Sequence, residues 1–252
     1  QSSTRAAMAG GAELSARAAP VTGNERQSLP RRAFLGARFR GNDSLEITGF
    51  VPGGSLGDSG IKAGDVLLKV DAQPVASVAD VVTATKSFRA GDQVKLLVKR
   101  GAAEHEIAVP LKEWPREASD GFEILYDEVP SGTKLLRCLI TRPPETAARR
   151  VPAVLYIQGI DCASIEKPFP APDHMREFVY SMTRAGFAVM RCEKSGIGDS
   201  TGPSCEQMGL HDEVADFAAA IRKLKSFEFV DPDKVFLFGH SAGGWVAPLA
   251  AA

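Results

Sequence analysis

Five residues, Gly239-His240-Ser241-Ala242-Gly243, restrict what this chain can fold into more than any others. They follow an apolar run, Lys234-Val235-Phe236-Leu237-Phe238, that reads as a buried strand. They precede Gly244-Trp245-Val246-Ala247-Pro248-Leu249-Ala250, which reads as the start of a helix. A strand that becomes a helix across so few residues leaves no room for side chains at the flanking glycines. It lifts the central serine hydroxyl to the carboxyl edge of the sheet. The pentapeptide alone could be a plain glycine-rich turn, since small-residue turns are common. The strand before it and the helix after it give Ser241 the reading of a nucleophile.

At 252 residues the chain has room for two domains, and 44% hydrophobic content supplies sizeable cores. The net charge of −1 and the lack of a basic tract argue against nucleic acid as a partner. No apolar run approaches the length of a membrane span. None of the cysteines Cys138, Cys162, Cys192 and Cys205 forms a Cys-x-x-Cys pair or joins a His/Cys cluster, so neither a metal site nor a cofactor is expected. Cys138 and Cys192 fall in strand-like runs and read as buried core thiols.

Residues 1–30 are rich in Ala, Ser, Gly and Arg without apolar periodicity and read as a flexible tail or linker. Residues 31–113 read as one small unit. A strand is expected over Ala33–Phe39, a second over Leu45–Val51, a turn at Pro52-Gly53-Gly54-Ser55 and a strand at Val66–Val70. Ser77 and Asp80 form a capping box for a helix running through Phe88, and a hairpin spans Gln93–Leu111. The stretches Phe34-Leu35-Gly36-Ala37, Gly60-Ile61-Lys62-Ala63-Gly64-Asp65-Val66-Leu67, Asp71-Ala72-Gln73-Pro74-Val75 and Arg89-Ala90-Gly91-Asp92 resemble a PDZ domain of the kind found in bacterial PDZ-bearing proteases. The resemblance implies that backbone amides around Phe34, Leu35, Gly36 and Ala37 cradle the terminal carboxylate of a peptide. The peptide would add as a strand beside the Ser77–Phe88 helix. The alternative is a small β-domain that binds nothing and acts only as a spacer ahead of residue 114.

Residues 114–252 alternate strands and helices. Strands are expected at Phe122–Val129, Lys134–Thr141, Val151–Ile157 and Ala188–Arg191, with helices around Met175–Gly186 and Leu210–Phe227 and a turn at Val230–Asp233 before the strand leading to Ser241. With the pentapeptide, this pattern resembles an α/β-hydrolase. The whole chain resembles a bacterial PDZ-domain-containing α/β-hydrolase. The fold class expected is multi-domain: a small β-rich PDZ-like domain, then the N-terminal half of an α/β-hydrolase with a mostly parallel sheet and flanking helices. The hydrolase part, 114–252, is expected to be C-terminally incomplete, because the family's acid and histidine come after the serine and neither residue type occurs after Ser241. The chain also starts at Gln1 and is read as an internal fragment, inactive by itself.

Serine needs a base to take its proton. His105 lies in the PDZ-like hairpin, His174 and His211 open helices where capping or solvent contact explains them, and His240 is the variable residue of the elbow. None is expected to be the base. The resemblance implies an oxyanion hole made by the amide of Ala242 and one from the loop Gln158-Gly159-Ile160-Asp161, assigned to Ile160. Cys192-Glu193-Lys194-Ser195-Gly196-Ile197-Gly198-Asp199-Ser200 resembles the family's glycine loop, a structural element near the site, and Asp199 is not expected to be catalytic. Cys162 and Cys205 come after two loops that would emerge at the carboxyl ends of neighbouring strands, so a Cys162–Cys205 disulfide fits that arrangement and would place the protein in the periplasm or outside the cell. The expected function is cleavage of an ester or related acyl bond of a small acyl substrate through an acyl-enzyme on Ser241, with peptide C-termini as partners of the PDZ-like unit. A peptidase fed by that unit and a non-catalytic peptide-binding adaptor are the alternatives.

Overall fold

The computed structural model describes residues 29–147 and 149–252. Residues 1–28 of the expected tail lie outside the described residues. The first unit comprises β1 (Ala33–Phe34), β2 (Ala37–Gly41), β3 (Ser44–Phe50), β4 (Val66–Val70), β5 (Gln73–Pro74), α1 (Val78–Thr85), β6 (Gln93–Arg100), β7 (Ala103–Pro110) and β8 (Lys112–Glu113). β2, β3, β4, β6 and β7 form a sheet in that spatial order, with β5 hairpinned onto β4, while β1 pairs with β8. β6 shows why: Val94, Leu96 and Val98 are fully buried at alternate positions and Gln93 and Lys95 face out, the period-2 signature of a strand with one buried face. The capping box forms as expected, with Asp80 N–H donating to Ser77 Oγ and Ser77 N–H to Asp80 Oδ2.

Two expectations for this unit change. The strand over Ala33–Phe39 breaks at Leu35-Gly36, because the chain crosses the backbone of Gly53-Gly54 there. Gly36 adopts φ +73°, and a Cβ on it would run into Gly54 Cα. The helix ends at Thr85 rather than Phe88, whose N–H turns back to the Thr85 carbonyl.

The second unit comprises β9 (Glu123–Ser131), β10 (Lys134–Arg142), β11 (Val151–Ile157), α2 (His174–Arg184), β12 (Ala188–Cys192), α3 (Leu210–Lys225), β13 (Val230–Gly239) and α4 (Gly243–Ala251). Its sheet has the order β13-β11-β12-β10-β9. β10 is antiparallel to both neighbours, whereas β11 runs parallel to β12 and β13. The central strands are apolar on both faces, as a sheet covered by helices on both sides requires. Leu155 and Met190 belong to the core under α3 and α4, and their neighbours Val154 and Val189 to the core under α2. The expected turn at Val230–Asp233 lies instead inside β13. Val230 pairs with Val151, and the ladder resumes at Val235 opposite Ala153, so Asp231-Pro232-Asp233 bulges out of the strand. Cys138 and Cys192 are buried, free and directly opposite each other on β10 and β12. The neighbouring pair is joined by Glu193 N–H to Arg137 O at 2.8 Å, so the two thiols occupy a non-hydrogen-bonded pair, where side chains come closest.

The junction between the units is buried and ionic. The backbone of Arg31-Arg32 bonds to the first unit, with Ala90 N–H donating to Arg31 O at 2.9 Å. Their side chains go the other way. Arg31 donates to Glu166 Oε1 at 2.7 Å and to Asp199 Oδ2 at 2.6 Å, and Arg32 to Ser164 and Glu166. Burial works against the Arg31 charge, but the pull of Glu166 and Asp199 outweighs it, and the guanidinium pKa is raised. Asp199 also accepts from Arg137 Nε, and Glu117 of the connecting segment pairs with fully buried Arg191 at 2.5 Å. Leu29 is buried, and its carbonyl accepts from Arg137 Nη2. Phe34 of β1, Trp114 and Phe169 form a cluster of edge-on and tilted rings.

Removing one partner of such a buried pair leaves the others uncompensated. Arg31→Met should therefore lower the unfolding free energy by about 3–5 kcal/mol, measured by urea denaturation; an unshifted midpoint would show that the junction contributes little.

Candidate active site

β11 and β13 end together, Ile157 opposite Gly239, which brings the loop after one strand beside the turn after the other. The turn is tight. His240 N–H donates to Ile157 O at 2.9 Å, Gly243 N–H to His240 O at 2.9 Å and Gly244 N–H to Ser241 O at 2.9 Å. A Cβ on Gly239 would collide with the carbonyl of Gly243, and one on Gly243 with the carbonyl of Ile157. Glycine at both ends is a steric requirement. Between them Ser241 sits at φ +53°, one of two non-glycine residues in the left-handed region among the described residues. Its side chain is exposed to solvent.

The neighbouring loop touches this serine. A Cβ on Gly159 would stand 3.2 Å from Ser241 Cβ. Among the described residues, neither Ile160 nor Ala242 uses its backbone N–H to reach a protein acceptor. Ile160 itself is 81% exposed. The loop is held from below by the segment after β12. Lys194 Nζ donates to Gly159 O at 2.7 Å and to Glu213 Oε1 at 2.8 Å. Glu193 accepts from Ser164 Oγ at 2.5 Å and Ile165 N–H at 3.1 Å, and its burial raises its pKa. The Cys162–Cys205 disulfide is formed, with a Cα–Cα distance of 5.7 Å, and ties the same loop to the glycine loop. The roles of Lys194 and Glu193 were not legible in the sequence. A charged pair inside a glycine-rich loop was the only signal.

No histidine hydrogen-bonds the serine among the described residues, although His240 precedes it in the chain and its Nδ1 would stand 3.5 Å from a Cβ on Gly159. His105, His174, His211 and His240 are all exposed. His174 and His211 do not cap their helices: Asp173 caps α2, accepting from Arg176 N–H at 2.9 Å, and Asp212 reaches back to Gly209 N–H at the start of α3. Asp199 points into the junction, where it accepts from Arg31 and Arg137.

The residues expected to hold a peptide carboxylate run from the end of β1 into β2. The carbonyl of Phe34 accepts from Ser55 N–H and Oγ, that of Leu35 from Leu56 N–H, and that of Gly36 from Val51 N–H. Among the described residues, the N–H groups of Leu35 and Gly36 donate to no protein acceptor. Ala37 opens β2, an edge strand of its sheet.

Residues 33–111 match the PDZ domain family, and residues 173–252 match the family described as serine aminopeptidase, S33. The chain thus carries a PDZ domain, then an α/β-hydrolase region. No curated protein matches it. Among solved structures it is similar to one described as the DcsB complex with its substrate analogue, at 21% identity over 51% of this chain and 41% of that one, with a TM-score of 0.43. It is similar to Est1E from Butyrivibrio proteoclasticus at 19% identity over 50% of this chain and 44% of that one, TM-score 0.38. It is similar to the serine endoprotease from Yersinia pestis at 21% identity over 34% of this chain and 30% of that one, TM-score 0.31. The chain spans less than half the length of each of these structures.

Thiol titration of the unfolded, unreduced protein should find two sulfhydryls, Cys138 and Cys192, and four after reduction; four before reduction would exclude the disulfide. Gly243→Ala should cost about 3 kcal/mol or more of stability, read by chemical denaturation, since the methyl meets backbone that cannot yield.

Proposed function

We propose, for a chain that joins a PDZ domain to an α/β-hydrolase fold, that Ser241 is the nucleophile of a serine hydrolase acting on an ester or related acyl bond. The observation that carries this reading is an exposed serine at φ +53°, on a turn between β13 and α4, with Gly159 packed next to it and the N–H groups of Ala242 and Ile160 bonded to no protein acceptor among the described residues. In the reaction, Ser241 Oγ adds to the substrate carbonyl as a base takes its proton. The oxygen of that carbonyl becomes an oxyanion between the two N–H groups. Collapse expels the alcohol, which receives the proton, and water then releases the acyl group from Ser241. The base is a histidine steered by a carboxylate. Among the described residues none of the four histidines hydrogen-bonds Ser241, so none of them is assigned the role of base.

The PDZ domain, in this proposal, binds peptide C-termini. The carboxylate lies on the N–H groups of Leu35 and Gly36, and the peptide adds to the free edge of β2 alongside α1, whose Val82 is 61% exposed. The family description of serine aminopeptidase supports a second reading, in which the PDZ domain delivers a polypeptide to Ser241 and the bond cut is an amide. The disulfide supports a periplasmic or secreted location, and no described helix is long and apolar enough to cross a membrane.

A fluorophosphonate probe on the intact protein should modify Ser241, and Ser241→Ala should abolish labelling and lower kcat by about 10⁴-fold or more. Short-chain acyl esters should turn over faster than peptide amides; the reverse order selects the peptidase. An unlabelled Ser241 in folded protein would leave a peptide-binding adaptor.

A further inference from the structure

Gly159 stands next to Ser241, where a Cβ on it would lie 3.2 Å from Ser241 Cβ, and little in its own side chain or in that of Ile160 determines how the peptide unit between them is turned. Gly159 has no side chain and the widest backbone freedom of any residue type. The Ile160 side chain is 81% exposed and gives no packing anchor. Among the described residues, the one hydrogen bond made by this peptide unit is accepted by the Gly159 carbonyl from Lys194 Nζ, at 2.7 Å. The unit is planar and trans, so its C=O and N–H point in opposite directions. Gripping the oxygen from one side therefore aims the Ile160 N–H toward the other.

Lys194 is suited to this grip. Its side chain is only 3% exposed, and Glu213, in the first turn of α3, pairs with the same ammonium at 2.8 Å. The charge is thus compensated inside the protein, and the position of Nζ is referred to a helix packed on the sheet. An ammonium carries three donors, enough for Glu213 and the Gly159 carbonyl together.

We propose that Lys194 is a positioning residue that sets the direction of the Ile160 N–H, and so completes the oxyanion hole for Ser241. This rests on the reading of Ser241 as nucleophile. Lys194 touches no reacting atom and acts only through the 159–160 peptide. Its contribution appears when negative charge develops on the substrate oxygen, because the hydrogen bond it aims strengthens at that point. Loss of the grip should consequently act on the chemical step and leave substrate binding nearly unchanged.

The test compares the intact protein with Lys194→Met and with Lys194→Met/Glu213→Gln; the double variant leaves no buried carboxylate unpaired and serves if the single variant is unstable. Three quantities are read: steady-state kinetics on a short-chain acyl ester, the rate of fluorophosphonate modification of Ser241, and the amide signal of Ile160 in a 15N-labelled sample. The expected result is a fall in kcat of about 10²-fold with KM changed by less than about threefold. Phosphonylation should slow in parallel, and the Ile160 amide signal should be displaced. If the parent protein is labelled at Ser241 and the folded variants react equally fast, Lys194 has no such role and the nucleophile assignment stands. A loss carried entirely by KM, or a loss of rate with the Ile160 signal unmoved, also overturns the inference. A parent protein that is never labelled overturns the nucleophile assignment, and this inference with it.

Discussion

The packing of Gly243 against the carbonyl of Ile157 is the contact on which the turn carrying Ser241 depends. It lets α4 start close to the ends of β11 and β13, and it forces the turn to be made in five residues. A turn that short can be closed only with one residue in the left-handed region, and that residue is Ser241. The backbone strain is offset by the surrounding ladder: Tyr156 opposite Phe238 and Ile157 opposite Gly239 fix where both strands stop. The exposure of the hydroxyl results from the backbone, and strand register starts the loop of Gly159 beside it.

Around that turn the molecule uses charge more than apolar packing to set loop positions. The loop 158–166 is held at Gly159 by Lys194, at Cys162 by the disulfide, at Ser164 and Ile165 by Glu193, and at Glu166 by Arg31 and Tyr126. Arg31 bonds by its backbone to Ala90 of the PDZ domain, so the loop beside Ser241 and the PDZ domain share one buried network. Phe34, adjoining the open N–H of Leu35, packs on Trp114 and on Phe169 of the hydrolase region. The segment around Leu35 and the loop beside Ser241 therefore stand on the same joint.

Much of this was legible in the sequence, for reasons that are local. Alternation in Gln93–Arg100, the Ser77/Asp80 box and the paired glycines around Ser241 each report a geometry imposed within a few residues. The break at Gly36 and the bulge at Asp231-Pro232-Asp233 were not legible, because both depend on partners distant in the chain, Gly54 in one case and Val151 in the other. The same holds for Lys194. Nothing near it in sequence shows that its ammonium meets a carbonyl 35 residues earlier. The partner of Asp199, Arg31, is 168 residues away and could not be named from pattern.

Cys138 and Cys192 face one another across β10 and β12 in a protein whose other two cysteines are joined. Four thiols can be tied into two bridges in about 3 ways, so oxidation of an unfolded chain would have several outcomes competing with the native one. The first pair is withdrawn from that competition only once the two strands have zipped and the thiols are shut inside. Sheet assembly thus serves as the proofreader of crosslinking: a chain whose strands pair before an oxidant arrives has just two sulfurs left to find each other.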